Sequence, residues 1–136
     1  MTEPIWIAAT DVLGLHDMQV SKVGGKTGIR DASGIKMSLR RPVQQYHSGG
    51  PQSNDIHQLA ALYAAGFATS QFFVDANDRV AFACSLLFLE LNGWRIDVDP
   101  TDAAVLMVML AENKITKEAF GQWLRAHSTH LLVVSD

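Results

Sequence analysis

Seven consecutive residues, Asp75 to Ala81, combine a carboxylate, an amide and a guanidinium at the start of a strongly apolar stretch. If that stretch is a helix, the backbone N–H groups of its first turn have no partner inside the helix. Such groups bind anions, and phosphate is a common one. The segment therefore predicts a site for a phosphate group and its metal ion. Taken alone, the same residues also fit a plain helix N-cap followed by ordinary surface side chains.

The composition is that of a globular chain. Of 136 residues, 48% are hydrophobic and 18% charged, which predicts one domain spanning residues 1–136. The formal net charge of -3 argues against a nucleic-acid partner and against a membrane surface. The first residues lack the basic flank and apolar run of a signal peptide, so we expect a cytoplasmic protein. Cys84 has apolar neighbours and is expected to be a protonated core residue.

Apolar periodicity and capping residues predict six helices. They cover about residues 12–23, 34–40, 55–70, 80–91, 102–111 and 117–126, with caps at Thr10 or Asp11, Asn54, Thr101 and Thr116. Pro42 is expected to end the second helix and to leave residues 43–53 as a flexible excursion. Almost every residue from Val80 to Leu91 is apolar, which predicts that this helix is the central one.

Two short extended pieces, Ile5–Ile7 and Trp94–Val98, are expected to pair as a minor β-ribbon. The apolar tail Leu131–Val134 must dock on this chain or on a partner.

Other patterns have simpler explanations. Gly25-Lys26-Thr27 is not the end of a phosphate-binding Walker loop, because the required earlier glycine is replaced by Val20. Helix capping explains three aspartates better than a calcium site does: Asp97, Asp99 and Asp102. Basic residues on a solvated helix face are Lys36, Arg40 and Arg41. The histidines are expected at the surface; they are His16, His47, His57, His127 and His130.

The sequence Phe73-Val-Asp-Ala-Asn-Asp-Arg79, continued by Leu86-Leu-Phe-Leu-Glu-Leu-Asn-Gly93, resembles the signature of the Fic/Doc family, in particular its death-on-curing branch. Upstream segments resemble that branch in the same order and at similar spacing: residues 15–18, 23–31, 39–42 and 56–65. The resemblance implies an all-α fold, a compact Fic-like bundle of about six helices around a buried central helix, with a minor β-ribbon.

The family pattern is His-x-Phe-x-Asp/Glu-Gly/Ala-Asn-Lys/Gly-Arg, and its roles carry over position by position. The resemblance implies that Asp75 is a magnesium ligand and that Arg79 holds a phosphoryl oxygen. It also implies that Ala76, Asn77 and Asp78 form the turn whose N–H groups bind the nucleotide phosphates.

Members of the family use Mg²⁺ and ATP, or another nucleoside triphosphate, to modify a protein hydroxyl. Most transfer a nucleotidyl group, whereas the Doc branch transfers a phosphoryl group to a translation factor. Doc-like proteins are toxins that a small antitoxin neutralises with a helix covering the cleft. The resemblance implies the same cofactors and partners for this chain.

Two positions depart from the pattern. The catalytic histidine position is Gln71, whose amide cannot accept a proton near neutral pH. Loss of a general base costs about 10²–10⁴-fold in rate. The lysine position is Asp78, which also suits the positive end of a helix. A charge pair about 4 Å apart is worth roughly 4 kcal/mol near a protein surface, so reversing one charge changes binding of a triphosphate by about twice that.

Two functional hypotheses follow. In the first, the chain keeps the fold, transfers little or nothing, and acts by binding a protein partner. In the second, it is an active transferase in which Asp75, Asn77 and Arg79 position the phosphate and Asp78 helps recruit Mg²⁺; His47 is a weak candidate for a substitute base. Gln71 is also compatible with a substitution introduced to permit expression, although Asp78 and Phe72 favour natural divergence.

Overall fold

The computed structural model describes residues 2–131. Six helices lie in this range: α1 (Ala9–Val23), α2 (Ala32–Ser48), α3 (Ile56–Ala68), α4 (Asn77–Leu91), α5 (Pro100–Ala111) and α6 (Lys117–Ala126). The two strands are β1 (Trp94–Ile96) and β2 (Ser128–His130). The predicted all-α fold with a minor ribbon is therefore confirmed. Within the described range, no helix has the length and apolar character needed to cross a membrane.

The central position belongs to α3 rather than to α4, contrary to the prediction. Nine of the 13 residues of α3 are buried, and it packs against α2, α4, α5 and α6. Helix α4 buries six of its 15 residues and leaves Leu91 exposed. Small residues explain the difference, because they let neighbouring helices approach α3 closely. At Gly66, an added Cβ would lie 2.2 Å from the Ser38 hydroxyl oxygen of α2.

Helix α2 does not end at Pro42 as predicted. Pro42 is buried inside the helix, which continues to Ser48 and ends where Gly49 adopts a left-handed conformation at φ 71°. A proline fits helical φ and costs the helix one hydrogen bond. Packing of α2 against α3 offsets that loss. Residues 43–48 are consequently helical and not a flexible excursion.

Aspartates cap two helices that the sequence assigned to neighbouring residues. Asp55, not Asn54, accepts the first free N–H groups of α3, and Asp99, not Thr101, does so for α5. The Thr116 cap of α6 is confirmed. In all three the side-chain oxygen satisfies an N–H group that has no partner inside the helix.

The β-ribbon has a different partner from the one predicted. β1 pairs antiparallel with β2, with Trp94 opposite His130. The N-terminal segment is instead bound by the side chain of Asn92, which accepts from the Ile5 N–H at 2.8 Å and donates to the Ile5 carbonyl at 3.0 Å. Of the apolar tail, Leu131 is exposed, and residues 132–134 lie outside the described residues.

His57 is fully buried at the start of α3, so the prediction of a surface position is wrong. Its Nε2 lies 2.7 Å from the Ser128 hydroxyl, which itself donates to the Arg125 carbonyl. Nε2 therefore donates, and Nδ1 is left without a partner among the described residues. Burial, and next the charge of Arg125, lower the pKa of His57 to about 4, although Asp55 opposes the shift.

We expect the free energy of unfolding to fall as pH drops from 6.5 toward 4. In that window the unfolded chain binds a proton at His57 that the folded chain excludes, which costs on the order of 2 kcal/mol at pH 5. Urea denaturation at pH 7 and pH 5 measures this for the native chain and for His57→Gln. The variant should lose less stability between the two pH values. Equal losses would show that His57 does not carry the effect.

Candidate functional site

A cleft of about 610 Å³ lies between the start of α4 and helix α5. One wall is polar and consists of Gln71 and residues 74–79. The other wall is largely apolar, formed by Phe82, Pro100, Ala103, Ala104, Met107 and Val108. All the residues that the sequence assigned to the site therefore line one cavity. Their individual roles stay predictions.

The N-terminus of α4 opens on this cleft without a cap. Ala76, the residue before the helix, is in the left-handed conformation at φ 66°, and no side chain among residues 2–131 caps the first turn. The N–H groups of residues 77–79 are therefore available to an acceptor in the cleft. Together with the helix dipole they make a site for an anionic oxygen.

Asn77 fixes the loop that leads into α4. Its amide oxygen accepts from the Phe73 N–H at 3.1 Å, and its amide nitrogen donates to the Phe73 carbonyl at 3.0 Å. Both ends of the side chain are therefore bound to the backbone four residues earlier. Asn77 shapes the turn, and its predicted contact with phosphate stays a prediction.

Phe73 anchors the same loop in the core. Its side chain is fully buried and stacks on the His16 ring, with centroids 4.0 Å apart and planes 9° apart. The His16 Nε2 lies 3.0 Å from the carbonyl oxygen of Asp75. His16 is thus a buried support of the site and not the surface residue that was expected, and sequence reasoning missed it.

The segment at residues 28–31 runs beside the loop. The Val74 N–H donates to the Gly28 carbonyl at 3.0 Å, and the Arg30 N–H donates to the Phe72 carbonyl at 2.7 Å. These bonds form a short antiparallel pairing that holds residues 28–31 beside the loop at residues 72–74.

The Asp75 carboxylate is held by backbone N–H groups. It accepts from Ala76 at 2.8 Å and from Lys26 at 3.2 Å. These two bonds, followed by the charges of Arg79 and Lys26, lower the pKa of Asp75. The carboxylate is therefore ionised near neutral pH, as a magnesium ligand must be.

Arg79 is tethered to the end of α1. Its guanidinium donates to the carbonyl oxygens of Gln19 at 3.3 Å and of Gly24 at 2.9 Å. Gly25 packs against both charged groups, since an added Cβ would lie 2.8 Å from the Asp75 Oδ2 and 3.2 Å from the Arg79 Nη2. The end of α1 therefore positions both Asp75 and Arg79.

Asp78 behaves differently from Asp75. Burial raises the pKa of Asp78, so its charged form is disfavoured where that of Asp75 is favoured. Within the described range no three His, Cys, Asp or Glu side chains cluster as metal ligands. The residues present still suit Mg²⁺, because that ion takes most of its ligands from water and from phosphates and needs only one or two carboxylates.

Gln71 lies where the resemblance described above implies a general base. Its side chain is exposed, and its amide oxygen accepts from the Arg30 guanidinium at 3.4 Å. Arg30 could not be assigned to the site from the sequence, because only the pairing of residues 28–31 with the loop brings it beside Gln71.

Two other candidates lie away from the chemistry. His47 sits in α2, pairs with Glu3 at 3.1 Å and does not line the cleft, so it is not a substitute base. Cys84 is buried, and burial raises its pKa to about 12, which confirms a protonated core thiol.

The model of the Fic/DOC family matches residues 6–89. The chain belongs to the Fic/DOC family. It is 29% identical over 119 residues to "Protein kinase doc" of Escherichia phage P1, an alignment that covers 88% of this chain and 92% of that protein. The Fic/DOC match contains the polar wall of the cleft, whereas α5, which forms most of the apolar wall, follows the matched residues.

We expect Asn77→Ala to lower the free energy of unfolding by about 2 kcal/mol, because it removes two hydrogen bonds from a partly buried loop. Asn77→Asp keeps the acceptor for the Phe73 N–H and loses the donor, so its loss should be smaller. Urea denaturation followed by tryptophan fluorescence ranks the three proteins. An Ala variant as stable as the native chain would contradict the role assigned to Asn77.

Gly24 and Gly25 offer a matched pair. Both have positive φ, so alanine at either position costs about 1 kcal/mol or more in backbone strain. An added Cβ meets nothing within 4 Å at Gly24 but meets Asp75 and Arg79 at Gly25. Gly25→Ala should therefore shift the ¹H–¹⁵N resonances of residues 75–79 strongly, and Gly24→Ala should shift them little. Similar shifts in both variants would mean that Gly25 does not position the charged pair.

Proposed function

We propose that this chain is a Doc-like protein that keeps the anion-binding cleft of its family, transfers phosphoryl or nucleotidyl groups slowly or not at all, and acts by binding a protein partner. The observation that carries this proposal is the presence of a glutamine, in contact with Arg30, at position 71 of the cleft. Gln71 lines the cleft where a general base is needed, and its amide oxygen accepts a hydrogen bond from Arg30. Neither group takes up a proton near neutral pH.

The charge at position 78 supports the same conclusion. Asp78 lines the cleft beside the first-turn N–H groups of α4, where the family pattern has lysine. Its ionised form repels a triphosphate, and burial already disfavours that form. The site therefore lacks a phosphate-binding cation at position 78 and, within the described range, keeps only Arg79 as a cation in the lining of the cleft.

The apolar wall supports a protein partner. Met107 and Phe82 line the cleft, and Val105 and Val108 are exposed on α5. An amphipathic helix binds such a groove by burying its apolar face. We propose a small antitoxin-like protein as this partner, within a cytoplasmic toxin–antitoxin pair.

An active transferase is the second candidate. The lowered pKa of Asp75 and the uncapped start of α4 favour it, since both suit Mg²⁺ and the phosphates of ATP or another nucleoside triphosphate. Phosphoryl transfer depends largely on positioning and charge stabilisation. In this case the substrate would be a hydroxyl group of a protein such as a translation factor.

The test is to restore the family residues. Purified native chain and the variant Gln71→His with Asp78→Lys are incubated with Mg²⁺, radiolabelled ATP and cell extract. We expect little transfer by the native chain and at least about 100-fold more by the variant, because a general base and a phosphate-binding cation return together. Growth of cells after induced expression of the native chain or of the variant gives a second measurement.

A charge-matched control is Gln71→His with Asp17→Lys, since Asp17 is exposed on α1 and does not line the cleft. Its transfer should stay well below that of the restored variant. Strong transfer or growth arrest by the native chain, lost in Arg79→Ala, would refute the proposal and establish the second candidate.

A further inference from the structure

The contact between Arg30 and Gln71 fixes the orientation of the glutamine amide. A guanidinium only donates hydrogen bonds, so the atom that faces Arg30 at 3.4 Å must be the Gln71 oxygen. The free polar atom of the side chain is then the amide nitrogen with its two donors. No described residue accepts from that nitrogen. Position 71 therefore presents hydrogen-bond donors at the cleft.

The charge of Arg30 is not neutralised by its neighbours. Its backbone is bound to Phe72, and the adjacent Asp31 is used as the N-cap of α2, where its carboxylate accepts from Ser33 and Gly34. Among residues 2–131, no carboxylate forms an ion pair with Arg30. The exposed guanidinium of Arg30 thus lies beside the free amide donor of Gln71, which lines the cleft, and has no ion-pair partner among the described residues.

We propose that Gln71 and Arg30 form an anion-binding pair that holds an oxygen of the polyphosphate chain of a nucleotide. Gln71 lines the same cleft as the first-turn N–H groups of α4, and Arg30 contacts Gln71 from outside the lining, so two sets of donors face a ligand bound there. The position that accepts a proton in the family pattern has become one that binds negative charge. This inference rests on the proposed function and adds to it two residues that would hold the polyphosphate without turning it over.

Calorimetric titration tests the pair. Native chain is titrated with Mg-ATP, with magnesium tripolyphosphate and with adenosine at low salt. We expect both polyphosphates to bind and adenosine to bind much more weakly. Arg30→Gln and Gln71→Leu should each weaken polyphosphate binding about tenfold, as expected for loss of a charge-assisted hydrogen bond. Because the two residues act together, the double variant should bind more weakly than either single variant. Its fold-loss of affinity relative to the native chain should be smaller than the product of the two single fold-losses.

Arg41→Gln is the matched control, because it removes the same charge from an exposed position on α2. It should change affinity less than twofold, and Arg30→Lys should retain part of the native affinity. Thermal denaturation of each variant shows that it is folded.

The inference is overturned if the native chain binds neither polyphosphate, or if Arg30→Gln binds like Arg41→Gln. It is also overturned if only the adenosine moiety determines binding. The proposed function is tested by label transfer and by cell growth, whereas this inference is tested by binding affinity. The inference and the proposed function can therefore fail separately. Loss of the anion-binding pair would leave the impaired-transfer proposal intact.

Discussion

The site depends on how the backbone enters α4. Ala76 must take a left-handed conformation, which is strained for a residue with a Cβ, so that the helix starts with its N–H groups open to the cleft. Contacts between the helix start, the preceding loop and the core stabilise this arrangement: the Asn77 side chain makes two hydrogen bonds to the Phe73 backbone, and Phe73 is buried against His16. An open helix start is thus maintained by the surrounding core.

The rest of the molecule supports that loop from two directions. Helix α3 supplies the buried centre against which α4 packs, and its small residues make close packing possible. The segment from Gly24 to Asp31 crosses the other side, where it binds Arg79, Asp75 and the backbone of residues 72–74. Because this segment connects α1 and α2, movement of either helix would displace charged groups in the cleft.

Patterns local in sequence predicted the helices well. Residues 117–126 were predicted with the bounds of α6, and the apolar stretch after residue 79 located α4. The failures share a physical cause. Whether Pro42 ends a helix, or whether His16 and His57 are buried, depends on packing partners distant in the chain.

The candidate site follows the same division. Residues 75–79 were predicted because they are contiguous and lie at a helix start, whereas Gln71 was identified only through the family resemblance. Arg30 was missed because 41 residues separate it from Gln71, and only the backbone pairing joins them. The resemblance of residues 23–31 to the family gives the order of the segments but not the contact between Arg30 and Gln71.

Under the proposed function, the distribution of charge around the cleft separates binding from transfer. The family pattern has Lys or Gly where this chain has Asp78 at the helix start, and the exposed Arg30 places a positive charge beside position 71. Arg79 remains at the site but is tethered to the carbonyls of α1. If the proposed pair holds a polyphosphate, part of the negative charge of the ligand lies beside Arg30 and Gln71, whereas Asp78 stands beside the first-turn N–H groups of α4. Because transfer requires those groups to stabilise charge that develops on the reacting phosphate, a carboxylate at position 78 would oppose the reaction even where the ligand is retained.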